Sequence, residues 1–171
     1  MLGYVVATGR GAADELMREV AMALRASGLR VAGAVQVNVD IDPSKKCQMD
    51  LHILSGENVV RISQDLGALS RGCRLDPNGL EQAVGLVAAG LDAGADLLVV
   101  NKFGKQELDG RGFRPLMGEA LTRGVPVLTA VNGGNVDGFE AWAEGMATRL
   151  PQDAAAVIDW CRAKAAEASA V

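Results

Sequence analysis

The sequence predicts an α/β fold: a three-layer, mostly parallel sheet with helices on both faces and one half-exposed hairpin. Three observations predict it. Residues 2–7, 97–100 and 126–131 are dominated by apolar side chains, as strands buried on both faces are. Between such runs, apolar residues recur at helical spacing, as Ala13, Leu16, Val20, Ala23 and Leu24 do. Polar or glycine-containing stretches separate the two patterns, and this alternation is the signature of strand, loop, helix units.

The elements follow in order. Residues 2–7 form the first strand, Thr8-Gly9-Arg10-Gly11 a tight loop, and the helix that follows stops at Gly28. Residues 30–37 give a second strand, which completes a βαβ unit with a right-handed crossover. Residues 38–47 are polar and irregular, and 48–54 then alternate with period two, as a strand pairing with 59–62 in a hairpin would. A second irregular stretch carries Arg71, Cys73 and Arg74 up to Asp76-Pro77, where Asp caps a helix and Pro fits its first turn. That helix runs to about residue 93 and leads into the strand that ends in Asn101-Lys102-Phe103-Gly104-Lys105. A polar loop to Arg111, a helix over 116–123 and a strand over 126–131 come next. Asp137 with Glu140 resembles a capping box, predicting a helix toward Arg149, and residues 154–168 form a terminal helix docked through Val157 or Trp160.

Length and composition set limits. A chain of 171 residues is expected to form one domain over 1–171, with 151–171 as its terminal helix. With 49% hydrophobic residues but only two Trp, one Tyr and three Phe, packing must rest on Leu, Val, Ala and Met. A formal charge of −4 argues against a nucleic-acid partner. No apolar run is long enough to span a bilayer, and no signal peptide is visible, so a cytoplasmic protein without membrane insertion is expected. Cys47, Cys73 and Cys161 form no Cys-x-x-Cys pair, and reduced thiols are expected. His52 is the one histidine, so no metal site is expected.

In open parallel sheets ligands bind beyond the carboxyl ends of the strands, which directs attention to loops 8–12, 36–47, 101–111 and 132–136. The glycine loop that opens the first helix offers free backbone N–H groups to an anion. Hydrolysis is a different matter. A working phosphate loop carries Gly-Lys-Ser/Thr, whose amine meets the phosphates and whose hydroxyl meets Mg²⁺. Here the stretch reads Ala13-Asp14-Glu15, and the strand that should end in a magnesium-holding Asp ends in Asn101. A dinucleotide site is impaired too, because Asp14 replaces the third glycine of Gly-x-Gly-x-x-Gly and Gln36 stands where an acidic ribose ligand belongs. Asn101-Lys102-Phe103-Gly104 is similar to the Asn-Lys-x-Asp guanine signature but lacks its carboxylate.

What remains is basic. Arg10, Lys45, Lys46, Arg71, Arg74, Lys102, Lys105 and Arg111 all fall in or near predicted loops, where together they would favour a compact oxyanion. The candidate anion-binding set is therefore Thr8, Gly9, Arg10, Gly11, Gln36, Lys45, Lys46, Cys47, Arg71, Cys73, Arg74, Asn101, Lys102 and Lys105, with no catalytic residue among them.

The motifs Thr8-Gly9-Arg10-Gly11, Gly33-Ala34-Val35-Gln36, Cys47-Gln48-Met49, Gly72-Cys73-Arg74-Leu75-Asp76 and Asn101-Lys102-Phe103-Gly104-Lys105 resemble the bacterial family catalogued as domain of unknown function 2478. The resemblance implies a relative of the P-loop nucleoside-triphosphatases tied to molybdate handling, some of whose members carry the label of molybdenum-transport ATP-binding protein. The residues fit an oxyanion better than that label, since molybdate and tungstate are tetrahedral dianions that a glycine loop with Arg and Lys can hold without Mg²⁺. Three functions are thus expected in turn: a homo-oligomeric, non-hydrolysing binder of molybdate or tungstate; a divergent nucleotide protein using ATP or GTP with magnesium, with Lys102 or Lys105 in place of the missing Lys; or a silent regulatory module.

Overall fold

Leu2–Val5, buried on every side, is the strand around which the chain closes; in the computed structural model it forms β1. The structure describes residues 1–40, 47–67 and 74–171. After β1 come α1 (Ala12–Ala26), β2 (Val31–Val39), β3 (Gln48–Ile53), β4 (Val59–Arg61), α2 (Pro77–Asp92) and β5 (Leu97–Phe103). The second half contributes α3 (Lys105–Leu108), α4 (Arg114–Thr122), β6 (Val127–Val131), a 3-10 turn at Gly133–Asn135, α5 (Val136–Ala143), β7 (Ala147–Leu150) and α6 (Ala154–Ser169).

The strands make one seven-stranded sheet in the order β4-β3-β2-β5-β6-β1-β7. The pairs β2–β5, β5–β6, β6–β1 and β1–β7 are parallel, whereas β3 and β4 run antiparallel as a hairpin at one edge. The predicted class, a mostly parallel sheet with one half-exposed hairpin, is the observed one. Two apolar clusters cover it. On one face α1 packs through Leu16, Met17, Val20 and Leu24, and α6 through Val157 and Cys161. On the other, α2, α4 and α5 bury Leu80, Val87, Met117 and Phe139. Burial of such side chains is the main stabilising term, at about 1.5–3 kcal/mol for each large one.

Local signals explain the boundaries. The Asp76 carboxylate accepts the Asn78 N–H at 3.0 Å and so caps α2, with Pro77 in the first turn. Gly28, at φ 92°, ends α1. Both residues expected to dock α6 do so: Val157 is buried, and the Trp160 ring lies so close to Gly3 that a Cβ there would meet it at 2.7 Å.

Two expectations are corrected. The helix expected from Asp137 toward Arg149 ends at Ala143, because Glu144 (φ 50°) and Gly145 (φ 80°) both turn left-handed. Residues Ala147–Leu150 then form β7, parallel to β1. Nor does Glu140 complete a capping box: its carboxylate accepts a hydrogen bond from the Tyr4 hydroxyl, and Asn135 occupies the N-cap without a side-chain bond. Smaller differences are that β5 runs on to Phe103 and that the loop after it holds the single turn α3.

Candidate ligand site at the carboxyl rim of the sheet

The loop after β1 turns sharply because Gly9 (φ 106°) and Gly11 (φ 72°) both occupy the left-handed region that L side chains disfavour. Gly9 accepts the Ala12 N–H at 3.3 Å and Gly11 accepts that of Glu15 at 3.1 Å. The N–H groups of Gly9, Arg10, Gly11, Ala13 and Asp14 have no acceptor among the described residues, the ordinary state of a helix start open to an anion. Gln152, in the segment between β7 and α6, clamps the loop from outside. Its Oε1 accepts from the Thr8 N–H (3.0 Å) and Oγ1 (3.3 Å), and its Nε2 donates to the Thr8 carbonyl at 3.1 Å.

Behind the loop lies a polar network joining α1, β2 and β5. The Asn101 side-chain amide donates to Asp14 Oδ1 at 2.9 Å, and the Asn38 amide donates to Asp14 Oδ2 at 3.0 Å. Asn101 Oδ1 in turn accepts the Gln36 backbone N–H, and Gln36 Nε2 donates to Asn38 Oδ1, both at 2.9 Å. Asn101 is only 4% exposed and Gln36 9%, so unpaired amides there would be costly. Both oxygens of Asp14 are therefore engaged, and its charge is held against the sheet. The polarity is the reverse of a nucleotide site, with the acid on the helix and the amide on the strand.

Of the expected site residues, the structure brings Gln36 and Asn101 into this network and sets Thr8, Gly9, Arg10 and Gly11 in the loop above it. Arg10 is exposed. Lys102 is half-buried in β5 and Lys105 is exposed at the start of α3. Cys47 and Arg74 sit half-buried at the same end of the sheet but beside β3 and β4. Among the described residues no hydrogen bond links either of them to the glycine loop. Lys45, Lys46, Arg71 and Cys73 lie outside the described residues. Arg111 pairs with Asp109 at 3.5 Å on the surface.

Several residues here were not anticipated. Asp14 was expected only as a departure from the phosphate-loop and dinucleotide patterns, and Asn38, Gln152 and Glu107 had no assigned part. Asn38 could have been suspected from its position at a strand end beside an acidic helix start. Glu107, on α3, carried no signal. It is 4% exposed, its Oε1 accepts the Gly104 N–H at 3.2 Å, and its Oε2 has no partner of hydrogen-bond geometry among the described residues. Burial pushes its carboxyl up to about 7, with Glu81 adding to the rise, while the backbone N–H groups of Gly104 and Phe113 pull the other way. The Cys161 thiol, pushed up to about 12 by burial, is an inert part of the core. Among the described residues no group of three or more His, Cys, Asp or Glu side chains gathers as a metal site would require. No helix among them is long and apolar enough to cross a membrane.

Comparisons with known proteins agree with this layout. The model of the family described as Protein of unknown function (DUF2478) matches residues 2–160. The chain is also 36% identical, over 155 residues, to the molybdenum import ATP-binding protein ModC 2 of Bradyrhizobium diazoefficiens. That alignment takes in 87% of this chain but only 17% of the relative, so most of the relative lies outside the shared segment. No solved structure matches the chain. With its family model spanning nearly the whole sequence, the chain belongs to the DUF2478 family and has the α/β, P-loop nucleoside-triphosphatase-like fold that its sequence predicts.

Proposed function

We propose that this protein binds a tetrahedral oxyanion of the molybdate or tungstate class at the glycine loop and does not hydrolyse nucleotide. The observation that carries the proposal is the Asp14–Asn101 pair. A triphosphate with Mg²⁺ needs an amine and a hydroxyl in the first turn of α1 and a carboxylate at the end of β5. Here the first turn holds a carboxylate with both oxygens engaged, and β5 ends in amide and cationic side chains, Asn101 and Lys102. Compact dianions ask for less: backbone N–H groups and one or two guanidinium or ammonium groups suffice, without metal or bond cleavage.

In this reading Thr8, Gly9, Arg10 and Gly11 form the anion cradle. Asn38 and Asn101, both braced by Gln36, hold Asp14 away from it, and Lys102 and Lys105 add positive field from the neighbouring loop. Cys47 and Arg74, beside β3 and β4 at the same end of the sheet, would add contacts to a larger oxyanion cluster. The printed name of the Bradyrhizobium relative, a molybdenum import protein, supports the choice of metal. The role proposed is storage, delivery or sensing in the cytoplasm, by a homo-oligomer of this single unit.

A second reading has one specific observation in its favour. The matched segment makes up 17% of a relative named for ATP binding, so it accounts for only a small part of that protein. A regulatory module acting beside an ATPase would account for this. Calorimetric titration of the purified protein with molybdate, tungstate, sulfate, phosphate and magnesium ATP separates the two. Heat with molybdate or tungstate and no phosphate release from ATP is the expected result; silence with every anion would leave only the module.

A further inference from the structure

The segment from Gly104 to Phe113 joins β5 to α4 and carries Lys105 and Arg111 at the rim, and it is folded around one carboxyl group. Glu107 points inward from α3 with Oε1 on the Gly104 N–H and Oε2 without a partner among the described residues. Gly112, at φ 59°, closes over it so tightly that a Cβ there would lie 2.0 Å from Oε2. The Gly112 N–H donates to Glu81 of α2 at 3.0 Å, which brings a second carboxylate to the same point of the loop. Among the described residues no Lys or Arg side chain forms an ion pair with Glu107 or Glu81. Arg114 of α4 spends its guanidinium on the carbonyls of Glu107 and Leu108, at 3.3 and 3.2 Å, and lies over the Trp142 ring of α5. On the segment itself, Lys105 is exposed and Arg111 pairs with Asp109. From β5, Lys102 packs its aliphatic stem near Gly104. On α5, which meets Leu108 at Gly138, the Glu140 carboxylate is engaged by Tyr4.

We propose that Glu107 is a proton-operated latch: its neutral acid holds the Gly104–Phe113 segment closed on α2 and α4, and loss of the proton to solvent loosens that segment and with it Lys105 and Arg111. An ionised carboxylate at this point would be buried without a cation and beside the Glu81 carboxylate, so closure and ionisation oppose each other. The raised titration of Glu107 places the change within the neutral range. The latch does not depend on which ligand the rim takes.

Hydrogen–deuterium exchange of the amides of residues 104–113, corrected for intrinsic rates and followed from pH 5.5 to 8.5, tests it. Protection in the wild type should fall at least tenfold across that range while protection of β5 and β6 stays constant. In Glu107→Gln the profile should be flat, and in Glu81→Gln the fall should be smaller and end at lower pH, because the neighbouring charge that raises the Glu107 titration has gone. A flat wild-type profile overturns the latch whether or not either variant folds, as does a Glu107→Gln profile that still falls with pH.

Discussion

The Asn101 side-chain amide donates to the Asp14 carboxylate across 87 residues of sequence, at 2.9 Å, and thereby ties the first turn of α1 to the end of β5. A working phosphate-loop site needs an amine and a hydroxyl on the first helix turn and a carboxylate at the metal-holding strand end. Here the helix turn and the strand end are joined by one direct contact between protein side chains, with Asn38 making a second. The arrangement explains how an acidic first turn is tolerated beside a glycine loop: both oxygens are satisfied, and the carboxylate stabilises the positive end of the helix.

Replacing Asp14 with Asn should separate its structural from its electrostatic part. Loss of charge-assisted hydrogen bonds should lower stability by about 1–3 kcal/mol. Removing one negative charge roughly 6 Å from a bound dianion should tighten binding by about tenfold, from Coulomb's law in a water-like dielectric. Paired denaturant melts and molybdate titrations check both; weaker anion binding in Asp14→Asn would contradict the placement of the ligand at the loop.

Arg10 is exposed on the glycine loop, and under the proposed function its guanidinium is part of the anion cradle. Arg10→Ala should leave stability within about 0.5 kcal/mol, since an exposed side chain is removed, yet weaken molybdate binding roughly tenfold or more. Arg74→Ala, beside β3 and β4, should leave single-ion binding unchanged. Equal losses in both variants would place the anion elsewhere on the rim.

Glu107 gives the stability a sign with pH. Its carboxyl titrates near 4.5 in the unfolded chain and near 7 in the folded one, so between those values the folded state binds more protons. Stability contributed by the neutral acid is complete below the lower value and declines by about 1.4 kcal/mol per pH unit until the upper one is passed. Glu107→Gln should remove that slope and be the more stable protein at pH 8. Denaturant midpoints at pH 5, 6, 7 and 8 measure it; parallel curves for wild type and variant would contradict the assignment.

Gly112→Ala attacks the same point through the backbone. The added methyl would meet Glu107 Oε2 and a left-handed φ of 59° together, so a loss of about 2 kcal/mol or more is expected. Gly110→Ala, also left-handed at φ 85° but with open space around its Cβ, should cost only about 1 kcal/mol. Thermal melts of the two variants compare them directly.

Much of this architecture was legible in the sequence because periodicity and punctuation are local. The apolar runs that became β1, β5 and β6, the heptad-like face of α1, the alternating β3 and the Asp76-Pro77 start of α2 each carry their cause within a few residues. β7 did not: four residues of an edge strand with only Leu150 buried have no pattern to detect, and the Asp137–Glu140 spacing pointed to a longer helix. The site was legible as loops but not as contacts. Asp14 meets Asn38 and Asn101 only because α1 crosses back over β2 and β5, so an acid that read only as a break in two motifs is the hub of a network. Glu107 was illegible for a similar reason, since Gly112, five residues on, closes over it only in the folded loop.

The account stands most directly on where an oxyanion sits. Tungstate is a strong anomalous scatterer, so crystals grown with it and with magnesium ATP in parallel give the answer by position. A tungsten peak within hydrogen-bond distance of the Gly9 to Gly11 N–H groups and Arg10, with the Asp14–Asn101 bond intact and no triphosphate at the loop, is the predicted result. Magnesium triphosphate seated on the glycine loop with Asp14 swung away from Asn101 would contradict it.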